Sequence, residues 1–168
     1  MGSTVRQHYS DCAQTNASGV KLYLDTSALV KLIVAEPESS ALSDYLHRFA
    51  DDDLFTAALA STELVRAVIA GGPTAITQAR ALLDGIDTVA LSRAVLDDAA
   101  TLPPPLLATL DAIHLAAAQR AGTSLRAVVT YDGRMVEAAA TLGMPHVSRS
   151  PADPSGMMTI KDPGGQQD

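Results

Sequence analysis

Between residues 20 and 148, short apolar runs alternate with segments in which apolar residues return at helical spacing, and this alternation narrows the possible folds more than any other feature. The runs at 20–24, 54–57, 88–91, 125–130 and 146–148 have the length and composition of strands. Between them, 27–34, 38–49, 61–70, 75–83, 94–102, 110–121 and 134–142 read as helices, with Ala41, Leu42, Tyr45, Leu46 and Phe49 forming one apolar stripe. Gly71, Gly72 and Pro73 are expected to stop the helix before them, and Pro103, Pro104 and Pro105 to end another. Strands joined through helices make crossover connections, so the sheet should be mainly parallel, of four or five strands, and covered on both faces. The expected fold is a three-layer α/β/α sandwich. Its ligand site belongs outside the carboxyl ends of the strands.

A chain of 168 residues, 47% of them hydrophobic, suffices for one well-filled core. Residues 1–19 are polar and aperiodic and are expected to form a flexible N-terminal extension, 20–149 the folded domain, and 150–168, with Pro151, Pro154, Pro163 and paired glycines, a flexible tail. Cys12 is the only cysteine, which excludes an intrachain disulfide and a multi-thiolate zinc site and suits a reducing, cytoplasmic setting. Nothing approaches the roughly 18 apolar residues of a membrane span.

Asp25, Glu63, Asp111 and Asp132 read as acids placed where strands hand over to helices, so folding should gather them at one sheet edge. Carboxylates crowded there repel, and such a cluster persists if it keeps protons or if a cation compensates it. A divalent-metal site follows as the expectation. Mg²⁺ or Mn²⁺ fits oxygen donors, with Asp25 and Asp132 as ligands because both follow strands directly, and Asp111 as a further ligand. Glu63 and Asp111 could equally hold metal-bound water or help deprotonate it. Ser27 and Thr130 offer hydroxyls to orient the carboxylates. Taken singly, Asp25 and Asp132 could be helix caps, Thr26, Ser27 and Thr130 turn or capping residues, and His114 a packed or hydrogen-bonded helix residue three positions after Asp111.

The formal net charge of −7 argues against a broad phosphate-neutralising surface, so any contact with a polyanion must be local. Lys31, Arg66 and Arg134 lie near three of the acids and are the candidate substrate-binding cations. Aromatic residues make up 4% of the chain, too few for a stacking platform for unpaired bases.

The segment Leu24-Asp25-Thr26-Ser27-Ala28-Leu29-Val30-Lys31-Leu32, followed by Glu36-Pro37-Glu38, resembles the opening motif of PIN-domain proteins, particularly the VapC toxins of bacterial toxin–antitoxin pairs. Ser61-Thr62-Glu63-Leu64, Leu110-Asp111-Ala112-Ile113-His114-Leu115-Ala116 and Thr130-Tyr131-Asp132 resemble the second, third and fourth motifs of that family. The resemblance spans residues 20–148. It implies a Mg²⁺- or Mn²⁺-dependent endoribonuclease with Asp25, Glu63, Asp111 and Asp132 as catalytic acids, leaving a 5′-phosphate and a 3′-hydroxyl. It also implies a homodimer restrained by a cognate VapB-type antitoxin. Two rival readings share the fold: a noncatalytic PIN-like binding module, and a housekeeping PIN ribonuclease without an antitoxin. A phosphohydrolase with an aspartyl nucleophile would need a second acid two residues after Asp25, where Ser27 stands.

Overall fold

A computed structural model describes residues 19–148 and 158–162. The extension expected at 1–19 lies outside these residues apart from Gly19, as do 149–157 and 163–168 of the expected tail. The chain runs β1 (Lys21–Leu24), α1 (Thr26–Lys31), α2 (Ser39–Arg48), β2 (Asp53–Ala57), α3 (Ala60–Val68), α4 (Gly72–Asp84), β3 (Asp87–Val89), α5 (Arg93–Ala99), α6 (Thr109–Gln119), β4 (Leu125–Val129), α7 (Gly133–Thr141), β5 (His146–Val147) and β6 (Ile160–Lys161).

The strands form one six-stranded sheet in the order β3-β2-β1-β4-β5-β6, in which the first five are parallel and β6 is antiparallel. The sheet is therefore wider than the four or five strands expected. The added strand comes from the segment expected to be a flexible tail, where Ile160 pairs with Val147 and Met158 is buried beneath it.

Period-two alternation along the central strands sorts side chains into two cores. Leu22 and Leu24 of β1 and Ala127 and Val129 of β4 pack on one face with Leu29, Leu42, Leu64 and Ala79 from α1 to α4. Tyr23 and Val128 face the other side, against Val95, Leu115, Ala116 and Met135 from α5, α6 and α7. The arrangement is a three-layer α/β/α sandwich. Burying each leucine on these faces contributes about 1.5–3 kcal/mol, which makes β1 and β4 a stable base for whatever follows their ends.

One local signal acts differently from its sequence reading. Gly72 and Pro73 begin α4 instead of only closing α3, because proline is tolerated in the first helical turn, where its missing N–H costs no hydrogen bond. The turn between them is made possible by Gly72, whose φ is +75°. Helix α6 is buried from Asp111 to Ala118, which fits its Ala-rich sequence and its position between β2, β4 and α5.

At the opposite sheet edge from the candidate site, Asp52 is buried and held by Arg126 of β4, with Nη2 3.1 Å from Oδ1 and Nε also on Oδ2. The same guanidinium lies 4.3 Å from the centre of the Phe49 ring. Arg126→Met should leave the Asp52 carboxylate buried without its partner and lower the unfolding free energy by about 3 kcal/mol. Asp52→Asn in that background should restore part of it, both read from urea denaturation in EDTA.

Candidate functional site

The sheet order reverses direction between β1 and β4, and a crevice at such a switch point is where open α/β sheets place their ligands. Asp25 follows β1 and Thr130 follows β4, so the ladder itself sets them side by side: the Asp25 N–H donates to the Val129 carbonyl at 3.0 Å. The Asp25 Oδ2 then accepts the Ser27 hydroxyl at 2.6 Å, the Thr130 hydroxyl at 3.0 Å and the Ser27 amide at 3.3 Å. Those hydroxyls are themselves anchored, Ser27 Oγ accepting the Tyr131 N–H at 2.8 Å and Thr130 Oγ1 accepting the Asp132 N–H at 3.1 Å. One oxygen of Asp25 is thus fixed. The other, Oδ1, has no hydrogen-bond donor among the described residues and lies 3.7 Å from His114 Nε2.

Glu63, in the first turn of α3, is oriented in a similar manner. Its Oε2 accepts the Thr26 hydroxyl at 2.6 Å and meets His114 Nε2 at 2.7 Å, leaving Oε1 without a donor among the described residues. His114 is 2% exposed, and its Nδ1 meets the Tyr23 hydroxyl at 2.6 Å. Asp111, one turn before His114 on α6, buries its Oδ2 with no hydrogen-bond partner among the described residues. Three acids therefore keep an oxygen free.

The charges respond as crowding demands. Burial, and then the charges of Asp132 and Asp25, push the Asp111 carboxyl above its ordinary value, against the opposing pull of Arg134 and His114. The His114 hydrogen bond holds Glu63 below the usual carboxylate range in spite of burial, with Thr26 and the His114 charge assisting. Burial pulls His114 down, but the Glu63 hydrogen bond and the charges of Asp25, Glu63 and Asp111 outweigh it and leave the ring above 6.5. Asp132 is held low chiefly by the Arg134 side chain, with Nη2 3.0 Å from Oδ2 and Nε 3.4 Å from Oδ1.

Several sequence expectations change at this point. Asp25 directly follows β1, and Asp132 is separated from the end of β4 by Thr130 and Tyr131. Glu63 is in the first turn of α3, which follows β2 after two residues, whereas Asp111 belongs to a helix that α5 and a proline loop precede, so α6 packing and not a strand end delivers it. Asp25 and Asp132 also cap α1 and α7, accepting the amides of Ser27 and Arg134 at 3.3 and 2.9 Å, so the capping reading and the site reading coexist in the same side chains. Among the cations, Lys31 is 11% exposed in its side chain, tied to Glu36 and Glu38 and set over the Tyr131 ring, which leaves it little reach. Arg66 is exposed on α3, and Arg134 is engaged with Asp132. The residues that sequence reasoning underrated are Thr26, His114 and Tyr23. The three-residue spacing from Asp111 to His114 was the available signal.

Fit to a divalent cation can be judged from the donors. As placed, no three acids or imidazoles among the described residues converge tightly enough to ligate one ion together. Mg²⁺ commonly takes one or two carboxylates and completes its shell with water. Asp25 Oδ1 and the buried, donorless Asp111 Oδ2 supply that smaller set, and an oxygen buried without a donor carries a desolvation penalty that a cation would relieve. The donor set fits.

A PIN domain family model matches residues 22–141, a span containing all four acids. The chain belongs to the PIN domain family. This PIN domain is 46% identical over 129 residues to Ribonuclease VapC46 of Mycobacterium tuberculosis (strain ATCC 25618 / H37Rv), covering 77% of this chain and 98% of that relative. It is 44% identical over 125 residues to Ribonuclease VapC35 of Mycobacterium tuberculosis (strain CDC 1551 / Oshkosh), covering 73% and 93%. Ribonuclease VapC47 of the same strain is 41% identical over 133 residues, covering 77% and 96%. The VapC-type resemblance read from the four motifs is therefore shown. No helix of the described residues is long and apolar enough to cross a membrane.

The Glu63–His114 pair gives the metal-free PIN domain a defined pH response. His114, raised above 6.5, stabilises the fold fully below that value and loses its contribution as pH rises through the folded pKa. Glu63, lowered from 4.5, stabilises above that value and loses its contribution as pH falls through its folded pKa. The pair should be strongest between pH 4.5 and 6.5. In EDTA, His114→Gln should cost roughly 1.5–3 kcal/mol in this window and flatten the alkaline limb of a stability–pH curve measured by thermal melting.

Proposed function

We propose that this PIN domain is a divalent-metal-dependent endoribonuclease that hydrolyses RNA phosphodiester bonds, with Asp25, Glu63, Asp111 and Asp132 as its catalytic acids. The observation that carries the reading is the buried Asp111 Oδ2, which has no donor among the described residues and belongs to a carboxyl whose pKa is raised by burial and by Asp132 and Asp25. Asp25 and Asp111 would hold Mg²⁺ or Mn²⁺, with Asp132 joining when Arg134 releases it. When bound, such a cation supplies Lewis acidity toward a phosphodiester and lowers the pKa of adjacent water.

The chain's own residues do the positioning. Ser27 and Thr130 stop the Asp25 carboxylate from rotating by occupying Oδ2, which keeps Oδ1 turned to the crevice. Thr26 and His114 do the same for Glu63 through Oε2. Because Glu63 is held in its charged form it is a weak base, so its free Oε1 orients a water and does not take the proton. Arg134 is exposed, and an incoming phosphate can compete with Asp132 for its guanidinium, since both are bidentate acceptors. Arg66, exposed three residues after Glu63 on α3, is the candidate for a further phosphate contact, whereas the double hold on Lys31 suits it to bracing the loop between α1 and α2.

The same reading extends to partners. Support for a cytoplasmic toxin of a VapBC-type pair comes from the VapC relatives and from an acidic crevice able to receive an Arg or Lys side chain of a VapB-type antitoxin. Leu106 at 96% exposure and Ile69 at 60% give apolar surface for the homodimer or the antitoxin to cover.

RNA incubated with purified protein should be cleaved with Mg²⁺ or Mn²⁺ and left intact with EDTA. Asp25→Asn should lower the rate by about 100-fold or more without lowering the melting temperature in EDTA, since it relieves carboxylate repulsion. Cleavage that withstands both chelation and this substitution would remove the nuclease reading.

A further inference from the structure

We propose that Tyr23 is a positioning residue of the acidic site, whose hydroxyl fixes the protonation pattern of the His114 ring and through it the orientation of Glu63. Tyr23 is fully buried in the middle of β1, and its ring packs edge-on against Phe55 at 5.1 Å and His114 at 6.0 Å between centroids. A phenol there needs partners for its oxygen and its proton, since an unsatisfied buried hydroxyl is costly. The oxygen accepts the Ala57 backbone N–H at 3.2 Å, a donor fixed in β2. The other hydrogen bond of its hydroxyl among the described residues is to His114 Nδ1, at 2.6 Å. Thr56, beside it, donates to the Leu24 carbonyl at 2.7 Å and makes no well-formed hydrogen bond with the phenol, so it is not the acceptor of the phenolic proton. The phenolic proton therefore goes to Nδ1.

The direction of that bond decides the rest of the chain. With Nδ1 accepting, the neutral imidazole carries its hydrogen on Nε2, which donates to Glu63 Oε2 at 2.7 Å and not to Asp25 Oδ1 at 3.7 Å. Glu63 Oε2 also accepts the Thr26 hydroxyl, so its carboxylate is held from two sides and Oε1 stays turned to the crevice. Tyr23 thus acts from the interior of the sheet on an atom two hydrogen bonds away. Its arrangement stands on geometry alone, and only its effect on cleavage rests on the ribonuclease reading.

The test is ¹⁵N NMR of the histidine ring nitrogens in the full chain, at a pH where the ring is neutral, with RNA cleavage measured in parallel. In the unmodified protein, His114 should show a protonated Nε2 and an unprotonated Nδ1 shifted by an accepted hydrogen bond. The buried Tyr23 hydroxyl proton should give a slowly exchanging resonance correlated with that Nδ1. Tyr23→Phe should move Nδ1 to the value of an unbonded ring nitrogen and lower kcat by about 10-fold with KM little changed. If Tyr23→Phe fails to fold, the hydroxyl correlation in the unmodified protein still decides. A protonated Nδ1 in that protein, or a Tyr23→Phe variant with an unchanged ring pattern, would overturn the proposal. Inactive unmodified protein with the expected ring pattern would count against the ribonuclease reading and leave the positioning role supported.

Discussion

The parallel pairing of β1 with β4 is the constraint on which the rest of the site depends. It lies at the centre of the sheet, where Leu22, Tyr23, Leu24, Val128 and Val129 are fully buried, so neither strand end can move independently of the core. The ladder continues one residue past β1, through the Asp25 amide to the Val129 carbonyl, and brings Thr130 and the Tyr131 and Asp132 amides within reach of the Asp25–Ser27 turn. A one-residue slip in that register would send Asp25 to the opposite face, since strand side chains alternate.

On that base the site resolves a conflict between concentration of charge and stability. Four carboxylates are gathered, and in the described residues their repulsion is offset by His114 beneath Glu63 and Asp25 and by Arg134 over Asp132. Hydroxyls and the imidazole take up one oxygen each of Asp25 and Glu63, while the opposite oxygen is left free. Asp111 is not offset to the same degree, because its Oδ2 is buried with nothing among the described residues to accept from. In the proposed reading, that residual imbalance is what a divalent cation corrects. Affinity and rigidity then come from different residues: the acids attract the ion, and Ser27, Thr26, Thr130, His114 and Tyr23 decide where the acids point.

Much of this was legible in the sequence, and the parts that were not share physical causes. The strands at 21–24 and 125–129 announce themselves because buried parallel strands are continuous apolar runs, and their acids follow at once. The two-residue β6 carries no such signal, as its pairing depends on the exposed edge of β5 and not on its own composition. Gly71, Gly72 and Pro73 read as a stop, yet a proline suits a helix start as well, and only tertiary packing chooses. The helix carrying Asp111 is legible from its period and from the prolines before it, but its sequence does not show that packing of a whole buried helix, and not a strand end, brings Asp111 to the site. In the sequence, Tyr23 is one residue of the apolar run at 20–24. Its role depends on Ala57 and His114, partners 34 and 91 residues away that no local pattern reveals.

The central claim, that the acids at the β1–β4 switch point form one cation-binding crevice, is most directly tested by titrating ¹⁵N-labelled protein with Mn²⁺ and following paramagnetic broadening of backbone amides. The account predicts saturable broadening that begins at Ser27, Asp111, Ala112 and Tyr131 and is lost in Asp25→Asn. Broadening centred elsewhere, for instance on the exposed acids near Asp51 and Asp53, or unchanged in that variant, would contradict it.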